Sequence, residues 1–187
     1  MKIGELALAS IEACEAEGLE YMLTGAFATS CYGIPRSTKD VDLVLALPHA
    51  ESLPALMSRL DGLVEFSGQV QFDTLTWGKR MVGVTRQAPS LQVEFFELFD
   101  DPFVQSQFAR RRPLFVEVLK RDCMIPTAED VVVQKLRWAR DKDLIDATDV
   151  VVVQQPANLD LEYMRRWCRV HGSEQRLDEI LQRIDSL

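Results

Sequence analysis

Histidine is nearly missing from this chain: there are two, His49 and His171. Neither stands in a serine or cysteine nucleophile pattern, so the sequence gives little support to histidine-based chemistry. Cysteine is sparse as well. Cys14, Cys31, Cys123 and Cys168 are widely scattered and include no CxxC pair. Such spacing suggests neither a zinc site nor a disulfide framework, and reduced thiols in a cytoplasmic protein are the expectation. No apolar run approaches the roughly 20 residues that span a bilayer. The opening Met1-Lys2-Ile3-Gly4-Glu5 has early acids and no apolar core, so neither a membrane span nor a secretory signal is expected. There is no internal repeat and no low-complexity tract. An overall positive charge is also absent. The formal net charge of −8 argues against a protein that coats nucleic acid non-specifically. Basic residues do gather locally, at Lys79-Arg80, Arg110-Arg111-Arg112, Lys120-Arg121 and between Lys135 and Lys142.

What is present is ordinary globular material, 47% apolar and 27% charged over 187 residues. That length suits one substantial domain, or a core with a small helical addition. Apolar residues at helical spacing (Ile3, Leu6, Ala7, Ile11, Cys14) predict a helix over 3–17, stopped at Gly18. A short strand, 21–24, runs into Gly25, and a short helix follows over 26–32. Residues 40–47 read as a strand broken by Pro48, and 49–60 as a helix. The middle is β-rich, with strands near 63–66, 70–77, 81–86 and 91–98. Asp100-Asp101-Pro102 reads as the end of that region, with a short helix over 106–112. The last third reads as helices: one from a Thr127 cap to about Asp141, then 143–154, 160–171 and 174–186. The expected architecture is α/β (α+β): a mixed, twisted sheet flanked by helices, with a helical C-terminal region. A composition shift near 113–125 divides a core, 1–112, from that region, 113–187.

The most informative segment is Asp40-Val41-Asp42. Residues two apart on a strand point the same way, so the two acids project together while Val41, Leu43 and Leu45 face the other side. Like charges inside an apolar strand cost free energy unless a cation offsets them. Mg²⁺ (or Mn²⁺) suits carboxylate oxygens and brings phosphates with it. Glu94, in Leu91-Gln92-Val93-Glu94-Phe95-Phe96, is the candidate third acid if its strand lies beside 40–47. A solvated edge is the alternative for all three, more so for Glu94. Gly25, between strand and helix, permits a tight turn close to phosphate. Arg36 and Lys39 precede the acids and suit phosphate or plain solvent exposure. Phe108 to Arg112 and the tryptophans (Trp77, Trp138, Trp167) read better as a solvated helix end and as core.

Taken together, these elements resemble the nucleotidyltransferase superfamily that includes DNA polymerase β. Its signature is an apolar residue, Gly, then Gly or Ser, a spacer, then acid, apolar, acid. Here it reads Thr24-Gly25-Ala26, a spacer of 27–39, then Asp40-Val41-Asp42. Ala26 departs from the pattern, removing a hydroxyl that would bond phosphate. Downstream, Glu129 to Leu136 with Arg140, Asp143 and Asp146 is similar to the second motif of bacterial minimal nucleotidyltransferases of the AbiEii toxin type. The resemblance implies that Lys135 contacts the nucleotide phosphates and that Asp143 and Asp146 support the site.

The resulting expectation is an enzyme that transfers NMP from an NTP to a hydroxyl acceptor, tRNA or protein. Asp40, Asp42 and Glu94 act as metal ligands and catalytic acids. Gly25, Ala26, Arg36, Lys135, Asp143 and Asp146 form the nucleotide site, expected in a cleft between sheet and C-terminal helices. A toxin paired with an antitoxin follows from the family alone. A degenerate nucleotide- or partner-binding module and a metal-dependent phosphohydrolase are the rival readings.

Overall fold

A computed structural model describes residues 1–73, 78–87 and 91–185 of the protein. Its described residues contain seven strands and eight α-helices. They divide into two compact units, one within residues 1–27 and 37–125, the other within residues 28–36 and 126–185.

The first unit is built on a five-stranded sheet. Its strands are β1 (Tyr21–Leu23), β2 (Asp40–Leu45), β3 (Val64–Phe72), β4 (Lys79–Thr85) and β5 (Gln92–Glu97), in the order β1-β2-β5-β4-β3. Only the β2–β5 pair is parallel, so the sheet is mixed, as expected. Alternation fixes its two faces. Val41, Leu43, Leu45, Val93 and Phe95 are buried on one face, where helix α1 (Ile3–Ala16) packs on β2 and β5, and α3 (Ser52–Leu60) packs on α1. Leu6, Ile11 and Leu56 are fully buried there. The opposite face is apolar at one end only. Met22, Val44 and Phe96 pack there with Val104 and Phe108 of α4 (Pro102–Arg110). The other end of that face carries Asp40, Asp42 and Glu94.

Three elements differ from the expectation. Strand β3 is continuous, with an irregularity between Phe66 and Val70 around Gly68 (φ +69°), rather than two strands. Such a register break lets a strand bend while staying paired. Residues 74–77 of the expected strand lie outside the described residues. Helix α4 begins at Pro102, earlier than expected, because Asp101 caps it: its carboxylate accepts from the Phe103 and Val104 amides, both at 3.0 Å. Pro102 sits at the first helical position, where a missing N–H is harmless. Residues 113–125, where the composition shifts, lie in a hairpin of β6 (Arg112–Val116) and β7 (Arg121–Ile125), and β7 lies against β1.

The second unit is helical: α5 (Ala128–Trp138), α6 (Asp141–Gln154), α7 (Leu161–His171) and α8 (Glu174–Asp185). Val132, Val133, Leu136, Val150, Val151, Met164 and Leu177 are buried. Thr127 caps α5 as predicted, accepting from the Asp130 amide. Asp130 itself is fully buried and accepts from Thr127 Oγ1 at 2.9 Å and from Tyr163 Oη at 2.5 Å. This satisfies a carboxylate that would otherwise be costly inside a helix pair. The α2 helix (Gly25–Tyr32) contributes its C-terminal part to this unit. Tyr32 Oη donates to the Pro126 carbonyl at 2.9 Å, and Gln154 Nε2 donates to the Tyr32 carbonyl at 2.8 Å. Among the described residues no helix is long and apolar enough to cross a membrane.

Candidate active site

Strand β2 presents its acids as the sequence pattern requires. Asp40 and Asp42 are half-buried and alternate with the fully buried Val41 and Leu43. The parallel register sets Asp42 directly beside Glu94 of β5, and Asp40 beside Gln92. Asp42 and Glu94 are therefore neighbours in register on adjacent strands.

Gly25 is placed with equal definition. The Thr24 amide donates to the Asp42 carbonyl at 2.9 Å, extending the β1–β2 pairing by one residue. The chain then turns at Gly25, with φ +60°, into α2. A Cβ on Gly25 would lie 1.8 Å from Asp42 Oδ2 and 2.8 Å from its Cγ. Both the dihedral and the space exclude any side chain. The Asp42 carboxylate is thus seated against the first residue of a helix, where the peptide dipoles favour negative charge. Ala26 follows and is buried.

Glu94 has a cationic neighbour that the sequence did not single out. Arg80 of β4 donates from Nη1 to Glu94 Oε2 at 2.8 Å and from Nη2 to Gln71 Oε1 at 3.2 Å. The pair is well shielded, with Glu94 14% and Arg80 29% exposed. Alternation along β4 was the only signal available for Arg80, and without the β4–β5 register it identifies no partner.

Three carboxylates on one sheet face offer the all-oxygen donor set a hard divalent cation prefers, and the Asp42–Glu94 register supports it. The residues therefore fit Mg²⁺ or Mn²⁺ by donor chemistry. Among the described residues no group of three His, Cys, Asp or Glu side chains converges to hold a metal, and Glu94 is engaged by Arg80.

In the second unit the structure gathers four other predicted residues. Lys135 of α5 donates from Nζ to Asp143 Oδ1 at 3.1 Å and to Asp146 Oδ2 at 2.7 Å. Arg36 grips Asp146 with both arms, Nε to Oδ1 at 2.7 Å and Nη2 to Oδ2 at 2.9 Å. Arg140 donates from Nε to Asp143 Oδ2 at 2.5 Å. The left-handed turn at Ala139 (φ +54°) ends α5 and brings Lys135 opposite α6. The aspartate side chains are only 1% and 3% exposed. Burial pushes both carboxyls up. The hydrogen bonds and charges of Arg140 and Lys135 on Asp143, and of Arg36 and Lys135 on Asp146, more than offset it and hold both below the ordinary value.

No protein-family model and no curated protein matches the chain. Solved structures do. The antibiotic-resistance factor ANT(2'')-Ia in solution superposes with a TM-score of 0.61 at 10% identity, covering 96% of this chain and 98% of that one. The same enzyme in complex with adenylyl-2''-tobramycin gives 0.60 at 13% identity, covering 92% and 98%. An antigenic nucleotidyltransferase-like protein from Paracoccidioides brasiliensis gives 0.58 at 20% identity, covering 97% and 94%. Over nearly its whole length, the chain has a nucleotidyltransferase-like fold.

Proposed function

We propose that the protein is a cytoplasmic, Mg²⁺-dependent nucleotidyltransferase that moves NMP from an NTP to an acceptor hydroxyl. The observation that carries this reading is Asp42, which stands in register beside Glu94 and is seated on the Gly25 turn. Fold likeness supports it from a separate direction.

Asp40 and Asp42 would hold the cation, with Glu94 as third ligand. A cation held there would supply charge neutralisation for the phosphoryl group. Gly25 lets the backbone approach phosphate closely, and the start of α2 orients it. Glu94 accepts the proton of the acceptor hydroxyl. The acceptor oxygen forms its bond to the α-phosphorus as the bond to pyrophosphate breaks.

The family resemblance assigns Lys135, Asp143 and Asp146 to nucleotide binding, and within the second unit they form one ion-pair network with Arg36. Lys135 already holds two carboxylates, so direct phosphate contact would require it to exchange partners. The motif resemblance to AbiEii-type enzymes supports tRNA or protein as acceptor, and a toxin role with a cognate antitoxin. ANT(2'')-Ia is seen in complex with adenylyl-2''-tobramycin, which supports a small molecule as an alternative acceptor here.

The test follows the fate of NTP labelled in its α- and γ-phosphates, with tRNA, protein and aminoglycoside offered as acceptors. Label from the α position should appear on acceptor with release of pyrophosphate. Asp42→Asn should reduce the rate by about a thousandfold, in line with losing a principal charge-stabilising group. Release of inorganic phosphate alone would identify a phosphohydrolase, and full activity in Asp42→Asn would remove Asp42 from the site.

A further inference from the structure

The acid-bearing face contains a built-in cation whose place in the chemistry is unassigned. On β5, Glu94 lies beside Asp42 on one side and Val82 of β4 on the other. Arg80 is two residues from Val82, on the same face, and reaches Glu94 diagonally across the ladder. The bridge closes at 2.8 Å in a shielded setting, so salt screens it weakly.

Its geometry is not that of a permanent fork. The hydrogen bond to Glu94 comes from Nη1, while Nη2 is directed to Gln71. Arg80 Nε is buried with no hydrogen-bond partner. A guanidinium committed for good to one carboxylate usually pairs through two parallel bonds. Here the grip is partial and leaves a buried donor unmet, which lowers the cost of letting go. Three carboxylates share this face, yet they do not converge on a common point.

We propose that Arg80 is a positioning residue: it serves as counter-ion to Glu94 in the metal-free protein and yields that carboxylate to the divalent cation when Asp40 and Asp42 bind it. The inference rests on the nucleotidyltransferase reading above. Arg80 therefore competes with the cation, and binding is coupled to the opening of one ion pair. In the free protein it also keeps like charges on the face from acting unopposed.

Mn²⁺ alone is the probe, titrated calorimetrically into wild type, Arg80→Gln, Asp42→Asn, Glu94→Gln and Arg80→Gln/Glu94→Gln. Arg80→Gln should bind Mn²⁺ about tenfold more tightly, the effect of removing one shielded competing ion pair. In the Glu94→Gln background the same change should alter affinity by less than about twofold, because the competition acts through Glu94. An equal gain in both backgrounds would mark a general charge effect and overturn the proposal. So would an Arg80→Gln affinity equal to or below wild type. Mn²⁺ binding by wild type that Asp42→Asn abolishes, with no effect of Arg80→Gln, would sink this inference and leave the enzymatic reading intact. No Mn²⁺ binding by wild type or Arg80→Gln would overturn both. A second measurement needs no substitution. In ¹⁵N-arginine-labelled wild type, Mg²⁺ should shift the Arg80 Nε resonance with the same midpoint as binding, and an unmoved resonance at saturation would contradict the exchange.

Discussion

Gly25→Ala is expected to lower stability by about 3 kcal/mol, as large backbone and packing conflicts do, and to abolish Mg²⁺-dependent nucleotide binding. Two independent costs add. Alanine at φ +60° is strained by roughly 1–2 kcal/mol. Its methyl would also lie 1.8 Å from Asp42 Oδ2, a distance no relaxation of a single torsion accommodates while the carboxylate stays where it is. Either Asp42 leaves its seat or the turn into α2 opens, and both displace an acid of the site. Thermal unfolding should fall by roughly 6–12 °C at this chain length. The explanation is specific enough to be checked by a cycle. Truncating Asp42 to alanine removes the Oδ2 and Cγ that the new methyl meets, so Gly25→Ala should cost about half as much in the Asp42→Ala background. Full additivity would show that the clash with Asp42 is not the cause.

The second large effect concerns the ion-pair network of the second unit. Lys135→Met keeps the length and apolar stem of the side chain but leaves Asp143 and Asp146 without the cation that bonds both. Removing one partner of a buried pair costs about 3–5 kcal/mol. Arg36 and Arg140 remain in place, so the lower end, about 3 kcal/mol, is expected at pH 7. The effect should depend on pH with a definite sign. Both aspartates are held below their unfolded value of 3.8. The stability their ionisation contributes is fully present above that value and is lost as pH falls through the depressed folded values. The deficit of Lys135→Met should therefore be largest near neutrality and narrow below about pH 4. Urea denaturation of both proteins from pH 7 to pH 3 measures it. A deficit that stays constant across that range would mean the methionine acts through packing rather than through lost charge.

These two sites were legible in the sequence to different depths. The Asp40-Val41-Asp42 pattern needs only alternation, a local property, and Gly25 stands where a strand meets a helix. The strands and the helical C-terminal region follow from periodicities that persist over whole elements, while the mixed sheet follows from the family resemblance. Register is not local. From local pattern Glu94 stands beside the aspartates only if its strand neighbours theirs, and Arg80 has no assignable partner, because β4 and β5 pair through a register the local pattern does not encode. The family resemblance implies a shared role for Lys135, Asp143 and Asp146, yet their mutual contact depends on the left-handed turn at Ala139. Alanine there carries no glycine-like signal. The hairpin over 112–125 was hidden by Pro113 and by charged residues on both strands, which interrupt a clean alternation. At Asp101 two signals competed, and the acid that seemed to end a strand is the cap that starts α4.

The central claim is that Asp40 and Asp42 form a nucleotide site that depends on a divalent cation. Calorimetric titration of each NTP, with and without Mg²⁺, into wild type and into the double variant Asp40→Asn/Asp42→Asn tests it most directly. The account predicts binding by wild type only when Mg²⁺ is present, and none by the double variant. Equal binding by both proteins, or binding that ignores Mg²⁺, would contradict it.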